Sequence, residues 1–176
     1  SPHLPPIDYR HELLVTDLYE VSMTEAYLAA GMDDTAVFEL FVRKLPPHRN
    51  FLMAAGLEQA IDFLLHARCD EKGIQWLRDN GGFGNRLCDF LAQFRFTGDV
   101  DALPEGTPFF PDEPVIRVSA PITQAQIVET RLINLLHYQT LVASKAARMV
   151  LAAPGKRLVD FGLRRAHSAE AGLLAA

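Results

Sequence analysis

The chain has 176 residues, of which 49% are hydrophobic and 22% charged, and its formal net charge is −5. That size and balance predict a globular protein of one domain, or of one domain with part of a second. The acidic balance lacks the attraction that general binding to nucleic acid or to a membrane surface needs, and no apolar run reaches the roughly 18 residues of a membrane span.

The amino terminus and the cysteines indicate the compartment. The opening residues, "SPHLPPIDYRHE", do not resemble a signal peptide. The two cysteines, Cys69 and Cys88, form no C-x-x-C motif and are interpreted as buried free thiols. We therefore expect a cytoplasmic protein.

The first part of the chain predicts a helix, a strand and a second helix. Residues 17–30 have a helix start signal at Asp17 and Glu20 and a terminating glycine at Gly31. The segment "AVFELFVRKLPP" is typical of a strand that two prolines end. The segment "GLEQAIDFLLHA" has the apolar spacing of an amphipathic helix.

The middle of the chain changes character. Short helices are predicted over residues 73–79 and 85–94, and short strands with turns over residues 98–121, where five prolines occur. Residues 122–152 predict the longest helical stretch, as one helix or as two in succession, with Thr123 and Gln126 as a capping box. A strand over residues 157–165 follows, and then a helix that Ser168 caps.

A candidate binding site lies at the end of the last predicted strand. This strand carries Phe161 and Gly162 to its carboxyl end, and Arg164 and Arg165 follow directly. Ligands of α/β proteins bind at that end, and there a phenylalanine ring can stack on a flat ligand while arginines hold carboxylate or phosphate. The same pattern is also typical of a core phenylalanine beside two solvated arginines, and spacing alone does not decide between the two.

Several segments carry a family resemblance when taken together and in order. They are "LLVTDLYEVSMTEAYLAAGM", "AVFELFVRKLPP", "FLMAAGLEQAIDFL", "ETRLINLLHYQTLVASKAAR" and "LVDFGLRRAHSAEAGLLAA". As a set they resemble the amino-terminal part of nicotinate phosphoribosyltransferases. The resemblance implies an α+β fold: the amino-terminal domain of a type II phosphoribosyltransferase over residues 1–153, then the first βα unit of a truncated α/β barrel over residues 154–176.

The resemblance also implies a reaction. The family joins nicotinate to 5-phosphoribosyl 1-pyrophosphate and forms nicotinate mononucleotide with ATP hydrolysis, in the salvage branch of NAD biosynthesis. It implies Mg²⁺ and ATP as cofactors, with ligands and a phosphorylated histidine outside this chain. It implies a homodimer in which the partner's amino-terminal domain completes each active site. The chain alone is then expected to be an incomplete, inactive fragment.

Site residues are carried over only where the motifs match. Phe161 matches the aromatic residue that stacks on the pyridine ring, and Tyr19 matches the tyrosine that covers the other face of that ring from the neighbouring subunit. Arg164 matches a contact to the substrate anion. Arg165 and His167 belong to the same motif and are expected to bind substrate.

No catalytic residue and no metal ligand is identified from the sequence. His137 interrupts an apolar helix and is interpreted as a core residue. The other histidines are interpreted as ordinary surface or terminal residues: His3, His11, His48 and His66.

Two alternatives stay open. Nicotinamide and quinolinate phosphoribosyltransferases share the fold, and only the family pattern of "LPP" and "AAGLEQA" favours nicotinate. A chain that ends after one βα unit is also typical of a non-catalytic dimerisation module.

Overall fold

The computed structural model describes residues 9–80 and 82–176. Helices and strands are mixed along this part of the chain, as an α+β fold requires. The α-helices are α1 (Leu18–Ala29), α2 (Leu57–His66), α3 (Glu71–Asn80), α4 (Asn85–Ala92), α5 (Ile122–Ala152) and α6 (Ala169–Ala175). The strands are β1 (Thr35–Leu40), β2 (Leu52–Met53), β3 (Asp99–Ala102), β4 (Pro108–Phe109) and β5 (Ile116–Pro121).

The main sheet has the strand order β1-β5-β3, and both pairings are antiparallel. Val118 of β5 lies opposite Phe38 of β1 on one side and Val100 of β3 on the other. Alternate residues of β5 are buried, because successive side chains of a strand point to opposite faces of the sheet. A second, two-stranded sheet pairs β2 with β4 around Leu52 and Phe109.

Helix α5 is the centre of the fold. It is one continuous helix of 31 residues that begins directly after β5, so the prediction of a helix over residues 122–152 is confirmed. It packs against α1, α2 and the main sheet, and it buries Ile127 and Val128 completely. The other helices predicted from the periodicity also form, with ends displaced by a few residues.

Gly56 allows α2 to begin close to α5. It stands at the N-cap of α2 with a φ of 104°, in the left-handed region. A Cβ at this position would lie 2.9 Å from the Leu135 carbonyl oxygen and 3.2 Å from the Leu136 Cα. Only glycine combines that backbone conformation with such a close approach.

The strand predicted over residues 157–165 does not form in this chain. Residues 157–162 have no regular structure, and Leu163–Arg165 form a single 3₁₀ turn. A strand needs a neighbour to accept and donate its backbone hydrogen bonds, and no strand of either sheet pairs with this segment. Helix α6 does follow it, and the Ser168 hydroxyl oxygen caps that helix by accepting a hydrogen bond from the Ala171 N–H at 3.0 Å, as predicted.

Two smaller predictions are wrong. Pro121 and not Thr123 is the N-cap of α5, and no side chain caps that end. Gln126, the second member of the predicted capping box, is instead bonded to α1. His137 is exposed and not in the core, whereas its neighbours Leu135 and Leu136 are buried.

Candidate functional site

A buried carboxylate joins α1 to α5. Glu20 has no solvent exposure, and its two carboxylate oxygens accept hydrogen bonds from different α5 side chains. The Gln126 amide donates to Oε2 at 2.5 Å, and the Thr130 hydroxyl donates to Oε1 at 2.8 Å. Buried polar groups without such partners are costly, so these bonds fix how α1 lies on α5.

This group extends towards the surface, and we call it the α1–α5 polar cluster. The Asp17 carboxylate lies 3.3 Å from the Thr130 hydroxyl, and the Gln126 amide also donates to Glu129 at 3.1 Å. The spacing brings the side chains together, since residues three or four apart lie on one face of a helix. The cluster consists of Asp17, Tyr19, Glu20, Gln126, Glu129 and Thr130.

The cluster is electrostatically negative at its outer edge. Burial, and then the charge of Glu20, raise the pKa of the Glu129 carboxyl group. For Tyr19 a hydrogen bond with Thr130 lowers the pKa, but burial and the neighbouring Glu20 and Glu129 carboxylates together raise it. The Tyr19 side chain is a neutral phenol at neutral pH, as is usual for tyrosine, and 47% of the residue is exposed at the start of α1.

The second group of predicted site residues lies on the segment before α6. Phe161 is 79% exposed, so the interpretation of this residue as a core phenylalanine does not hold for this chain. The Asp160 carboxylate accepts a hydrogen bond from the Gly162 N–H at 2.8 Å and closes a turn just after the ring. Arg164 and Arg165 follow on the 3₁₀ turn and are both exposed.

His167 lines a cavity of about 230 Å³ between α5 and α6, beside the buried Arg131. Arg131 is only 8% exposed and donates to the Asn134 side chain at 2.6 Å, but its Nε has no hydrogen-bond partner among the described residues. Burial lowers the pKa of Arg131, against the opposing charge of Glu170. The Tyr138 hydroxyl donates to the Ala171 carbonyl at 2.6 Å and holds α6 against α5.

The structure thus brings some predicted residues together and keeps others apart. The motif that contains Phe161, Arg164, Arg165 and His167 is continuous and largely exposed. Tyr19 belongs to the other group, and the ring contacts of the described residues do not include a contact between Tyr19 and Phe161. Both residues are exposed, 47% for Tyr19 and 79% for Phe161.

Sequence reasoning missed the partners of these residues. The sequence predicts Glu20 and Gln126 as capping residues and gives no role to Glu129, Thr130 and Arg131. The signal that could have found them is the polar run Glu129–Arg131 between the apolar pairs Ile127–Val128 and Leu132–Ile133, since polar groups at core positions need partners.

The α1–α5 polar cluster does not fit a magnesium ion. Mg²⁺ takes open oxygen ligands and keeps several waters. Glu20 is fully buried, and both of its oxygens are occupied by Gln126 and Thr130. The described residues that could jointly ligate an ion are instead His11, Asp62 and His66, and imidazole is not a magnesium ligand.

Comparison with known proteins defines the class. Residues 14–137 match the family model of the nicotinate phosphoribosyltransferase N-terminal domain. The chain therefore belongs to the nicotinate phosphoribosyltransferase family, and its described part has the mixed helix and strand architecture of that domain.

Individual relatives place the chain more closely. It is 54% identical over 158 residues to a nicotinate phosphoribosyltransferase of Mycobacterium tuberculosis, covering 90% of this chain and 34% of the relative. The enzyme of the same name from Bacillus subtilis is 38% identical, with 91% of this chain and 33% of the relative covered. The chain thus spans about a third of the length of these relatives.

Solved structures agree with that placement. The crystal structure of human nicotinic acid phosphoribosyltransferase superposes with a TM-score of 0.82 at 39% identity, covering 91% of this chain and 33% of the human one. A nicotinate-nucleotide pyrophosphorylase from Pyrococcus furiosus, at 22% identity and a TM-score of 0.72, shows the same fold. Among the described residues, no helix is long and apolar enough to cross a membrane.

Proposed function

We propose that this chain is the amino-terminal part of a nicotinate phosphoribosyltransferase that holds nicotinate for transfer of the phosphoribosyl group. The reaction joins nicotinate to 5-phosphoribosyl 1-pyrophosphate and yields nicotinate mononucleotide and pyrophosphate, with ATP hydrolysis. The observation that carries the proposal is the exposed aromatic ring of Phe161, followed directly by exposed Arg164, in a chain with this family membership.

The proposed roles follow from the chemistry of nicotinate, a flat ring with one carboxylate. The Phe161 ring offers a face for stacking, and Tyr19 of a partner subunit covers the opposite face. Arg164 holds the carboxylate through its planar guanidinium, and Arg165 and His167 add cationic or hydrogen-bonding groups beside it. A base that is held in line with the ribose carbon reacts faster, because binding has already removed the translational and rotational freedom that the reaction would otherwise have to remove.

The neutral phenol of Tyr19 suits this role. A tyrosinate would repel the nicotinate carboxylate, and the pKa of Tyr19 is raised further above neutral pH by burial and the neighbouring carboxylates. Through its hydrogen bonds to Glu20, the α1–α5 polar cluster holds the start of α1, which carries Tyr19, in place. A homodimer with shared sites is part of the proposal, and it is supported by the exposure of both rings, 47% for Tyr19 and 79% for Phe161, which lets each of them face a second subunit.

Mg²⁺ and ATP belong to the proposal as cofactors bound outside residues 1–176. When Mg²⁺ is bound, it neutralises the negative charge of the pyrophosphate leaving group. The residues of this chain hold and orient the base. The proposed setting is NAD salvage in the cytoplasm.

The test is a substrate comparison with the whole enzyme that contains this chain. Purified enzyme receives 5-phosphoribosyl 1-pyrophosphate and ATP with nicotinate, nicotinamide or quinolinate, and mass spectrometry identifies the mononucleotide. The proposal is supported if, of the three bases, only nicotinate is converted to its mononucleotide. Preference for nicotinamide or quinolinate would assign the chain to those enzymes instead, and turnover of none of the three would favour a non-catalytic dimerisation module.

A further inference from the structure

Two histidines flank one carboxylate at the end of α2, although one of them is far away in the sequence. His11 Nε2 lies 2.7 Å from Asp62 Oδ2, and His66 Nδ1 lies 3.1 Å from Asp62 Oδ1. The three potential ligand atoms all lie within 4.8 Å of one another. The two imidazole rings are 5.0 Å apart and tilted by 54°.

The fold holds these side chains from two directions. Asp62 and His66 are four residues apart on α2, so they project from one face of the helix. His11 is on the segment before α1, which pairs with the chain just after α2. The Arg68 N–H donates to the His11 carbonyl, and the Leu13 N–H donates to the Arg68 carbonyl, both at 2.9 Å.

The donor set is that of a transition-metal site. Two imidazole nitrogens and one carboxylate oxygen bind Zn²⁺ in proteins and leave a fourth position for water. Ligand atoms at the usual bond lengths around a tetrahedral zinc ion stand about 3.3 Å from one another. The imidazole nitrogens lie 2.7 and 3.1 Å from different oxygens of the Asp62 carboxylate, and one ligand atom from each residue lies within 4.8 Å of the others. These separations bracket the tetrahedral value, so side-chain rotations can bring the three atoms to one ion.

The Asp62 carboxylate lies between the two imidazoles and presents a different oxygen to each, Oδ2 to His11 and Oδ1 to His66. About half of the Asp62 side chain is exposed (49%), against 17% for His11. A water ligand can reach the site from the solvent, while His11 anchors it to the protein.

We propose that His11, Asp62 and His66 bind one divalent transition-metal ion of the Zn²⁺ type, with water in the remaining position. Binding exchanges the hydrogen bond between the His66 ring and the Asp62 backbone carbonyl, 3.0 Å long, for a bond from Nδ1 to the metal. The ion joins the segment before α1 to the end of α2. It therefore acts as a structural link that adds to the backbone pairing between Glu12 and Arg68 and to the bond from the Asp70 N–H to the Glu12 carboxylate.

The test uses zinc chloride as the probe on protein purified without a histidine tag and treated with a chelator. Calorimetric titration counts the zinc ions bound per chain, and visible spectroscopy with Co²⁺ reports tetrahedral coordination. The variants are Asp62→Asn and His66→Ala. The control variant is His137→Ala, which removes an exposed histidine from another helix.

We expect the unmodified protein and His137→Ala to bind one more zinc ion than Asp62→Asn or His66→Ala, or to bind it at least about 10-fold more tightly. Zinc should raise the melting temperature of the first two proteins only, since a ligand that binds the folded state stabilises it. Circular dichroism verifies that the variants fold. Equal stoichiometry and affinity in all four folded proteins, or no zinc binding by the unmodified protein, would overturn the proposal.

Discussion

Gln126 of α5 donates a hydrogen bond to the buried carboxylate of Glu20 in α1, although both residues stand where the sequence predicts helix capping. The bond connects positions 106 residues apart and is joined by one from Thr130. It fixes the start of α1, which carries Tyr19, relative to the central helix. The α1–α5 polar cluster is therefore a structural support for a proposed substrate contact.

Removing the Glu20 carboxylate should destabilise the fold. In Glu20→Ala, Gln126 and Thr130 lose a buried acceptor and a cavity remains, so we expect a loss of about 1–3 kcal/mol in the free energy of unfolding. Urea denaturation followed by circular dichroism measures it. Ser22→Ala, at an exposed position of the same helix, is the control and should stay within about 0.5 kcal/mol. Equal midpoints for the two variants would contradict the role assigned to Glu20.

The close approach at Gly56 gives a second prediction, with a matched control at Gly106. Both glycines have positive φ, 104° and 79°, so alanine strains the backbone at either position. A Cβ at Gly106 meets nothing within 4 Å, whereas at Gly56 it meets the α5 backbone. We expect Gly56→Ala to be more destabilising than Gly106→Ala by about 1–3 kcal/mol, because only the former forces α2 away from α5. Thermal unfolding of both variants measures the difference in stability. A difference near zero would show that α2 can move away from α5 without loss of stability, against the prediction.

The ring of Phe161 is predicted to contribute binding and not stability. In the whole enzyme, Phe161→Ala should raise the KM for nicotinate by about 5- to 150-fold, the equivalent of roughly 1–3 kcal/mol of stacking. Its melting temperature should stay nearly unchanged, because the ring is 79% exposed in this chain. Phe110→Ala, which removes another exposed phenylalanine, is the control. An unchanged KM for nicotinate in Phe161→Ala would remove the stacking role.

The proposed shared site predicts rescue between two inactive variants. If Tyr19 serves the partner's site, a mixed dimer of Tyr19→Ala and Arg164→Ala has one site with both defects and one with neither. Mixing should then restore up to half of the activity per heterodimer. If Tyr19 serves its own subunit's site, each site carries one defect and activity stays low. Native mass spectrometry counts the heterodimers, and their presence without rescue would contradict the shared site.

The helices and the family can both be read from the amino-acid sequence alone. Apolar spacing along α2 and α5 predicted both helices, since burial of one face is a local pattern that needs no knowledge of its partner. The prediction that Gly31 ends α1 is confirmed, since its φ of 68° lies in the left-handed region that only glycine adopts without strain. The motifs around Tyr19 and Phe161 indicated the family that the comparisons then showed.

The partners of polar side chains were decided only by the tertiary structure. Glu20 and Gln126 each have a plausible local role in the sequence, and the packing of α1 on α5 replaced both roles with a long-range bond. The sequence predicts His11 and His66 as ordinary surface residues, and only the backbone pairing at Glu12 and Arg68 brings His11 beside Asp62 and His66. The segment 157–162 showed the converse: its residues favour a strand, but a strand exists only where another chain segment completes its hydrogen bonds, and neither sheet of the described chain does so.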